Sequence, residues 1–292
     1  MPDALPVSQP RRRWWRRPWV WMLVLLLGWL GWVEWQEYDF RGAVREAEAA
    51  GFDFRQSPSP IALIRADWHA AFRSATWFAR ERKLWLPEEC DLAPLRPLLL
   101  RLGPTTLWTM RCRNAGAIRG LTGLHELDLI CSDIKDLTPL AGMKRLQRLN
   151  LEYCFGVANI APLAGLTQLR ILNLSECKFV TDLAPLAALT QLQRLDLRRC
   201  AGVVNLGPLA GLIQLREFRL SECEVVTDLT PLAGLTQLQF LYLTDCTRVA
   251  DIAPLAGLVQ LEWLDLLGCM GVSAEAKAAF RKRHPKTIGI GF

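Results

Sequence analysis

The chain has 292 residues, of which 35 are basic, 29 are acidic and 51% are hydrophobic. Residues 1–18 contain five arginines and one aspartate, so the remaining chain has 30 basic and 28 acidic residues and is almost neutral. The excess positive charge lies in one terminal segment, which argues against a nucleic-acid-binding protein, because those carry a basic surface on the folded domain.

Residues 1–17 form a basic tail, and residues 18–35 are the predicted transmembrane anchor. From Pro18 to Val33 the sequence has 16 residues without a charge. As a helix this run spans about 24 Å, and flanking tryptophans, which favour the membrane interface, extend it towards the hydrocarbon thickness of about 30 Å. Five preceding arginines predict a cytoplasmic N-terminus, and therefore a single-pass inner-membrane protein whose remaining chain faces the periplasm or exterior.

A cleaved signal peptide has the same basic start and apolar run. It would make this a secreted protein. The following sequence, EWQEYDF, contains no small-residue cleavage site, which favours an uncleaved anchor.

Residues 36–87 are predicted to be a helical linker and N-terminal cap. Apolar residues at Ile61, Ile64, Trp68 and Phe72 are spaced by three or four, which indicates an amphipathic helix. Its apolar face either packs on the domain that follows or, since several arginines accompany it, lies on the membrane.

Seven cysteines, from Cys131 to Cys269, recur every 23 residues, and the words between them recur as well. The block from Leu169 reads LRILNLSECKFVTDLAPLAAL. A fixed period in the twenties indicates a stack of structural repeats. In each repeat the alternation LxL predicts a short strand with one buried face, and Asp or Asn shortly before Pro predicts a capped helical turn.

The pattern LxxLxLxxC followed by DLxPLxGL resembles bacterial leucine-rich repeat proteins, with internalin-like short repeats in a cysteine-containing 23-residue variant. The resemblance covers about residues 90–292. It implies an α/β solenoid with short parallel strands and 3-10 or helical outer turns. The motif DLAPL at 91–95 places the start of the array near residue 88, and a closing coil is expected from about residue 271, with a helix from Ser273 to His284.

The cysteines are predicted to be buried thiols that pack as small hydrophobic groups and bond to turn backbone. Parallel side chains on adjacent strands stay about 4.8 Å apart, beyond the Cβ separation of about 3.8 Å that disulfides prefer. There is no CxxC pair, so zinc is not expected. In the first full coil the ladder position falls on Ser132, and Cys90 and Cys112 have no predicted place. The predicted ladder consists of Cys154, Cys177, Cys200, Cys223, Cys246 and Cys269.

No catalytic motif or phosphate-binding loop is found, so no enzyme activity, cofactor or metal is expected. The predicted function is binding of an unidentified protein or peptide through the concave face. Exposed aromatic side chains on neighbouring strands are typical interface anchors. The alternative is that the closing coil covers these aromatic side chains. The candidate binding residues are Phe240, Tyr242, Trp263, Arg194, Asp196, Arg219 and Asp265.

Two other functions fit the same sequence. The array could be a structural envelope component that spaces layers without a specific partner. A regulator facing the cytosol would require the reverse membrane topology.

Overall fold

The computed structural model of the protein describes residues 83–86, 89 and 91–290. The basic tail, the predicted anchor, the predicted amphipathic helix and Cys90 lie outside the described residues. Within them, no helix combines the length and the apolar character that a membrane span requires.

In the described part of the chain, ten short strands form one parallel sheet in which every strand pairs with its neighbours in sequence. This arrangement confirms the predicted stack of coils, each of which contributes one strand. The strands are β1 (Lys83–Trp85), β2 (Thr106–Met110), β3 (Glu126–Ile130), β4 (Arg148–Asn150), β5 (Ile171–Asn173), β6 (Arg194–Asp196), β7 (Glu217–Arg219), β8 (Phe240–Tyr242), β9 (Trp263–Asp265) and β10 (Ile288–Ile290).

The middle residue of each strand from β4 to β9 points into the core. Leu172 pairs in register with Leu195, Leu195 with Phe218, and Phe218 with Leu241, and all four are at most 1% exposed. Successive side chains of a strand alternate between faces, so the LxL pattern puts this column inside. Each fully buried side chain of this kind contributes about 1.5–3 kcal/mol, which makes the column a main source of stability.

The outer side of most coils is a 3-10 helix with proline near its start. The Asx residue before it caps the turn, as predicted: Asn159 Oδ1 accepts a hydrogen bond from Ala161 N at 2.9 Å, and Asn205 Oδ1 accepts one from Gly207 N at 2.8 Å. Asp136, Asp182, Asp228 and Asp251 make the same bond. The 3-10 helices are Ala115–Ile118, Thr138–Leu140, Ala161–Gly165, Ala184–Ala188, Gly207–Leu209, Thr230–Leu232 and Ala253–Gly257.

A left-handed residue follows every strand from β2 to β9 and directly precedes the ladder position. In one coil Cys154 N donates to Leu151 O, and Tyr153 has φ 59°. A positive φ at the third residue of such a turn is typical of type II turns and favours glycine. Only Gly268 satisfies that preference. The other members of this left-handed row are Glu89, Arg111, Cys131, Tyr153, Glu176, Arg199, Glu222 and Asp245.

The N-terminal end of the sheet differs from the prediction. Among the described residues a strand, β1, already lies at Lys83–Trp85 and pairs with β2, ahead of the expected start of the array near residue 88. Asp91 caps the α-helix α1 (Leu92–Leu102), where only a short turn was expected. Leucines at 92, 95 and 99 are spaced by three and four and are buried, which explains why this segment continues as a helix.

The C-terminal end has the predicted helix and tail strand. Ser273 Oγ accepts a hydrogen bond from Ala276 N and caps α2 (Ala274–Arg283). The helix packs against the outer 3-10 helix Ala253–Gly257, and a ring nitrogen of His284 lies 3.2 Å from Ala256 O. From there the chain returns to the sheet as β10, which is therefore the strand of the terminal coil.

Candidate protein-binding face and cysteine ladder

The first and third residues of the strands β4 to β9 point away from the core and form a surface that we call the sheet face. The strand register stacks them in two columns. One column runs through Arg194, Glu217, Phe240 and Trp263, and the other runs through Asp196, Arg219, Tyr242 and Asp265. All seven candidate binding residues therefore lie on adjacent strands of one surface.

Phe240, Tyr242 and Trp263 form an aromatic patch on β8 and β9. Phe240 pairs in register with Trp263, and all three side chains are partly exposed. The guanidinium carbon of Arg219 lies 5.2 Å from the centroid of the Tyr242 ring, a cation–π distance. The indole nitrogen of Trp263 is enclosed and has no hydrogen-bond partner among the described residues. The patch is thus ordered by its neighbours and keeps part of its apolar surface open.

An ion-pair network lies beside the patch. Arg219 Nη2 is 2.7 Å from Glu217, and Arg194 Nε is 3.4 Å from the other oxygen of the same carboxylate. Arg219 Nη1 also lies 3.9 Å from Asp196. Pairs this exposed contribute at most about 1 kcal/mol each. The main effect of the network is to fix Arg219 over the Tyr242 ring.

Two acidic candidates also have a backbone role that the sequence did not reveal. Asp196 Oδ1 accepts from Arg198 N at 3.0 Å, and Asp265 Oδ1 accepts from Leu267 N at 2.9 Å. Asn150 and Asn173 make the same bond at the ends of their strands. An Asx residue that bonds two positions ahead closes a turn. Asp196 and Asp265 therefore help to end the strands and are poor choices for probing a partner.

Asp128 on β3 is a buried acid that pairs in register with Asn150 of the sheet face. Its burial raises the pKa of the carboxyl, and Arg148 partly opposes this effect. The Arg148 Nε lies 3.6 Å from Oδ1, which is too far for a good hydrogen bond, and no other described residue forms a hydrogen bond with Oδ1.

A second group of exposed aromatic residues was not predicted, because it lies in turns and has no strand pattern. The Tyr153 and Phe155 rings meet edge to face at 6.0 Å, Lys178 Nζ lies 5.7 Å from the Phe155 centroid, and Phe179 is 65% exposed. Tyr153 belongs to the left-handed row and the other side chains come shortly after it, so the group lies off the sheet face. They provide a matched aromatic control for experiments on the aromatic patch.

The cysteine ladder is confirmed as a row of buried thiols, each of which donates to the preceding coil. Cys200 Sγ donates to Leu174 O at 3.1 Å, and the acceptor is 26 residues earlier in the chain. The other five bonds join Cys154 to Leu129, Cys177 to Leu151, Cys223 to Leu197, Cys246 to Leu220 and Cys269 to Leu243, at 2.9 to 3.3 Å. The six thiols tie each coil to the one before it.

Burial makes these thiols chemically inert. It raises the pKa of Cys154, Cys177, Cys223 and Cys246 to about 12 and that of Cys269 to about 11, and it raises the pKa of Cys200 as well. A thiol reacts and binds metals as the thiolate, so a protonated, buried row does neither. Among residues 83–86, 89 and 91–290, no group of three or more potential ligands is arranged to hold a metal ion.

Cys112 belongs to the same ladder, which the sequence did not predict. It is fully buried, and its Sγ lies 3.0 Å from Ser132 Oγ, the ladder atom of the next coil. The strand register explains the error, because Leu107 pairs with Leu127 after only 20 residues instead of 23. Cys131, by contrast, has φ 53° and is a partly exposed member of the left-handed row.

No protein-family model and no curated protein sequence matches the chain. Solved structures do. Internalin C2 from Listeria monocytogenes has a TM-score of 0.54 and 27% identity, over 61% of this chain and 76% of that one. The functional domain of InlJ from the same species, which includes a cysteine ladder, has a TM-score of 0.52 and 20% identity, over 69% and 41%.

The leucine-rich repeat domain of the type III effector XopL is similar over a longer stretch. Its TM-score is 0.56 at 19% identity, over 88% of this chain and 93% of that one. At such low identities the likeness concerns the fold alone. The described residues form a leucine-rich repeat solenoid of the kind found in bacterial proteins.

Proposed function

We propose that this protein binds a protein or peptide partner through the sheet face, with the aromatic patch as the anchor. The observation that carries the proposal is the register of Phe240 with Trp263 beside Tyr242, which places three partly exposed rings on two adjacent strands. Tyrosine and tryptophan are enriched among residues that dominate binding energy. A leucine-rich repeat fold suggests protein interaction in general, which agrees with this assignment.

The rigidity of the patch also supports binding. Its rings stand on paired strands, and Arg219 is held above Tyr242 by Glu217. Side chains that are already ordered lose little entropy when a partner arrives, so more of the contact energy becomes affinity. The inert thiols and the sequence without catalytic motifs support a role without chemistry.

We further propose that residues 18–35 anchor the protein in the inner membrane and that the repeats face the periplasm or exterior. The support is the uncharged run from Pro18 to Val33 and the arginines that precede it. Protease added to intact spheroplasts should digest the repeats. If the repeats stay protected until the cells are lysed, the topology is reversed and this part of the proposal fails.

Photocrosslinking tests the binding site. The full chain carries a photoreactive phenylalanine analogue at position 242 in native membranes, and its adducts are identified by mass spectrometry. In this background Phe240→Ala and Trp263→Ala should remove the main adduct while the circular dichroism spectrum stays the same, because both changes truncate surface rings.

Phe179→Ala is the matched control, since it removes a more exposed ring outside the sheet face. It should leave the adduct unchanged. An adduct that persists in both sheet-face variants, or that is lost in Phe179→Ala alone, would reject the aromatic patch as the anchor.

A further inference from the structure

The terminal coil leaves one side of β10 open. Among the described residues, β10 pairs with β9 and no strand lies on its other side. Ile288 N donates to Glu262 O at 2.8 Å, so the backbone groups of Ile288 face β9. Because alternate residues of a strand bond to opposite neighbours, the N–H and C=O of Gly289 point to the open side. Such an edge is a template for another strand.

The terminal coil is also strongly basic. Residues 276–290 contain Lys277, Arg281, Lys282, Arg283 and Lys286 and no acidic residue. Arg281, Lys282 and Arg283 are exposed in the last turn of α2, and Lys286 is exposed two residues before β10. A helix C-terminus carries only about half a negative charge, which one cation neutralises. The exposed Lys282, Arg283 and Lys286 keep the terminal coil positively charged.

Apolar surface continues along the sheet face to the same edge. Ile288 extends the column of Phe240 and Trp263 by strand register and is 66% exposed. A strand added beside β10 would place alternate side chains next to Ile288. The terminal coil therefore combines open backbone groups, an exposed apolar side chain and exposed positive charge.

We propose that the open edge of β10 is a second binding site, which takes up an acidic, extended peptide segment of a partner protein as an additional strand. The charge selects this occupant over a second copy of the chain, because two such edges would bring two basic clusters together. Recognition through the backbone of Gly289 selects a peptide over a lipid surface or a nucleic acid. The site goes beyond the proposed function, because it uses the edge of the sheet and not the aromatic patch.

The test measures binding of fluorescent ten-residue peptides to the full chain in a non-ionic detergent. The peptides alternate valine with polar residues and differ only in charge, being acidic, neutral or basic. The acidic peptide should bind most tightly, and its affinity should fall as salt rises. The same acidic peptide with alternate backbone nitrogens methylated, so that the edge facing β10 lacks N–H donors, should lose about tenfold or more in affinity.

Two variants distinguish the contribution of the backbone hydrogen bonds to peptide affinity from that of the positive charge. Gly289→Pro removes the N–H that faces the open side and is compatible with an edge strand, so it should weaken the acidic peptide about tenfold. Reversal of Lys282, Arg283 and Lys286 to Glu should weaken it at least as much. Reversal of Arg119, Lys135 and Arg145, which are exposed in the first coils, serves as the matched control and should have little effect.

Circular dichroism confirms that each variant is folded. Equal affinity for the three charge classes, full affinity after N-methylation or full affinity in Gly289→Pro would overturn the proposal. Charge-dependent binding to vesicles of anionic lipid that Gly289→Pro leaves unchanged, with no binding of the acidic peptide, would assign the basic cluster to a membrane and also overturn it. Trp263→Ala affects the aromatic patch and should retain peptide binding at β10, so the two proposed sites can fail separately.

Discussion

The Nε of Arg199 lies 2.7 Å from a carboxylate oxygen of Glu222, although 23 residues separate them in the chain. On the other side Arg199 Nη1 lies 2.7 Å from Glu176. All three residues belong to the left-handed row, and their positions repeat from coil to coil. Side chains at equivalent positions of adjacent coils are close, so alternating charges attract. Glycine at these positions would relieve the strain of a positive φ. The residues found there instead gain an ion pair with the adjacent coil.

The left-handed row predicts an unusual order of stability at Glu222. Glu222→Ala and Glu222→Gly both remove the contact with Arg199, but only glycine adopts φ 61° without a steric cost. Glu222→Gly should therefore be more stable than Glu222→Ala by about 1 kcal/mol in urea unfolding. At Glu224, which is exposed and has no positive φ, alanine should be at least as stable as glycine. If the alanine and glycine variants rank in the same order of stability at Glu222 and at Glu224, the left-handed conformation of Glu222 would be contradicted.

The Asx caps predict that Asn205 tolerates aspartate but not alanine. Asn205→Ala removes the acceptor for Gly207 N and should cost about 1 kcal/mol. Asn205→Asp keeps the acceptor, and aspartate occupies the equivalent position in four coils, so its stability should be close to that of the wild type. Thermal unfolding of the three proteins measures the difference. Equal stability of the alanine variant would mean that the cap contributes nothing.

The buried thiols predict a loss of stability in alkali. The pKa of Cys177 rises from 9.0 in the unfolded chain to about 12 in the folded protein. Between these values the folded state keeps the proton that the unfolded state has lost, so its stability is complete below pH 9 and falls as pH rises towards 12. Each such thiol contributes a slope of up to about 1.4 kcal/mol per pH unit.

Unfolding by urea between pH 8 and pH 11 measures this slope. The double variant Cys177→Ala and Cys223→Ala should have a shallower slope than the wild type. Val180→Ala, which truncates a buried side chain without removing a thiol, should keep the wild-type slope at a lower stability. If the stability of the double variant and that of the wild type fall with pH at the same slope, the ladder thiols have the same pKa in the folded and unfolded states.

Exposure predicts which cysteine a maleimide modifies first. In a chain with Cys90→Ser, Cys131 should react rapidly in the native protein, because it is the partly exposed thiol among those the structure describes. The ladder cysteines should react only when the domain unfolds. Peptide mapping by mass spectrometry locates the label. Rapid native labelling of Cys200 would show that the ladder is open to solvent.

The repeating part of the fold could be predicted from sequence because each feature has a local cause. The alternation around Leu172 fixes a strand, Asn159 two residues before Ala161 fixes a cap, and the constant interval fixes the register of the thiols. Because these signals recur in successive coils, an ambiguous signal in one coil is resolved by comparison with the next coil.

The ends and the turn row could not be predicted in the same way. Positive φ at Glu176 or Arg199 has no local signal, because the residues found there are chosen for contacts with neighbouring coils. Cys112 was missed because its coil is shorter. The sequence of α1 suggested a turn because its cap and first four residues, DLAPL, copy the repeat motif. The backbone roles of Asp196 and Asp265 depend on the residue two positions ahead, and neither side-chain type nor period reveals that bond.

The offset of 26 residues between each ladder thiol from Cys177 to Cys269 and its acceptor has a consequence for how such a protein changes length. Deletion or duplication of 23 residues, or of a multiple of 23, joins equivalent positions and restores the bonds between coils. Gene segments of one period are therefore the natural unit by which this domain can grow or shrink during evolution.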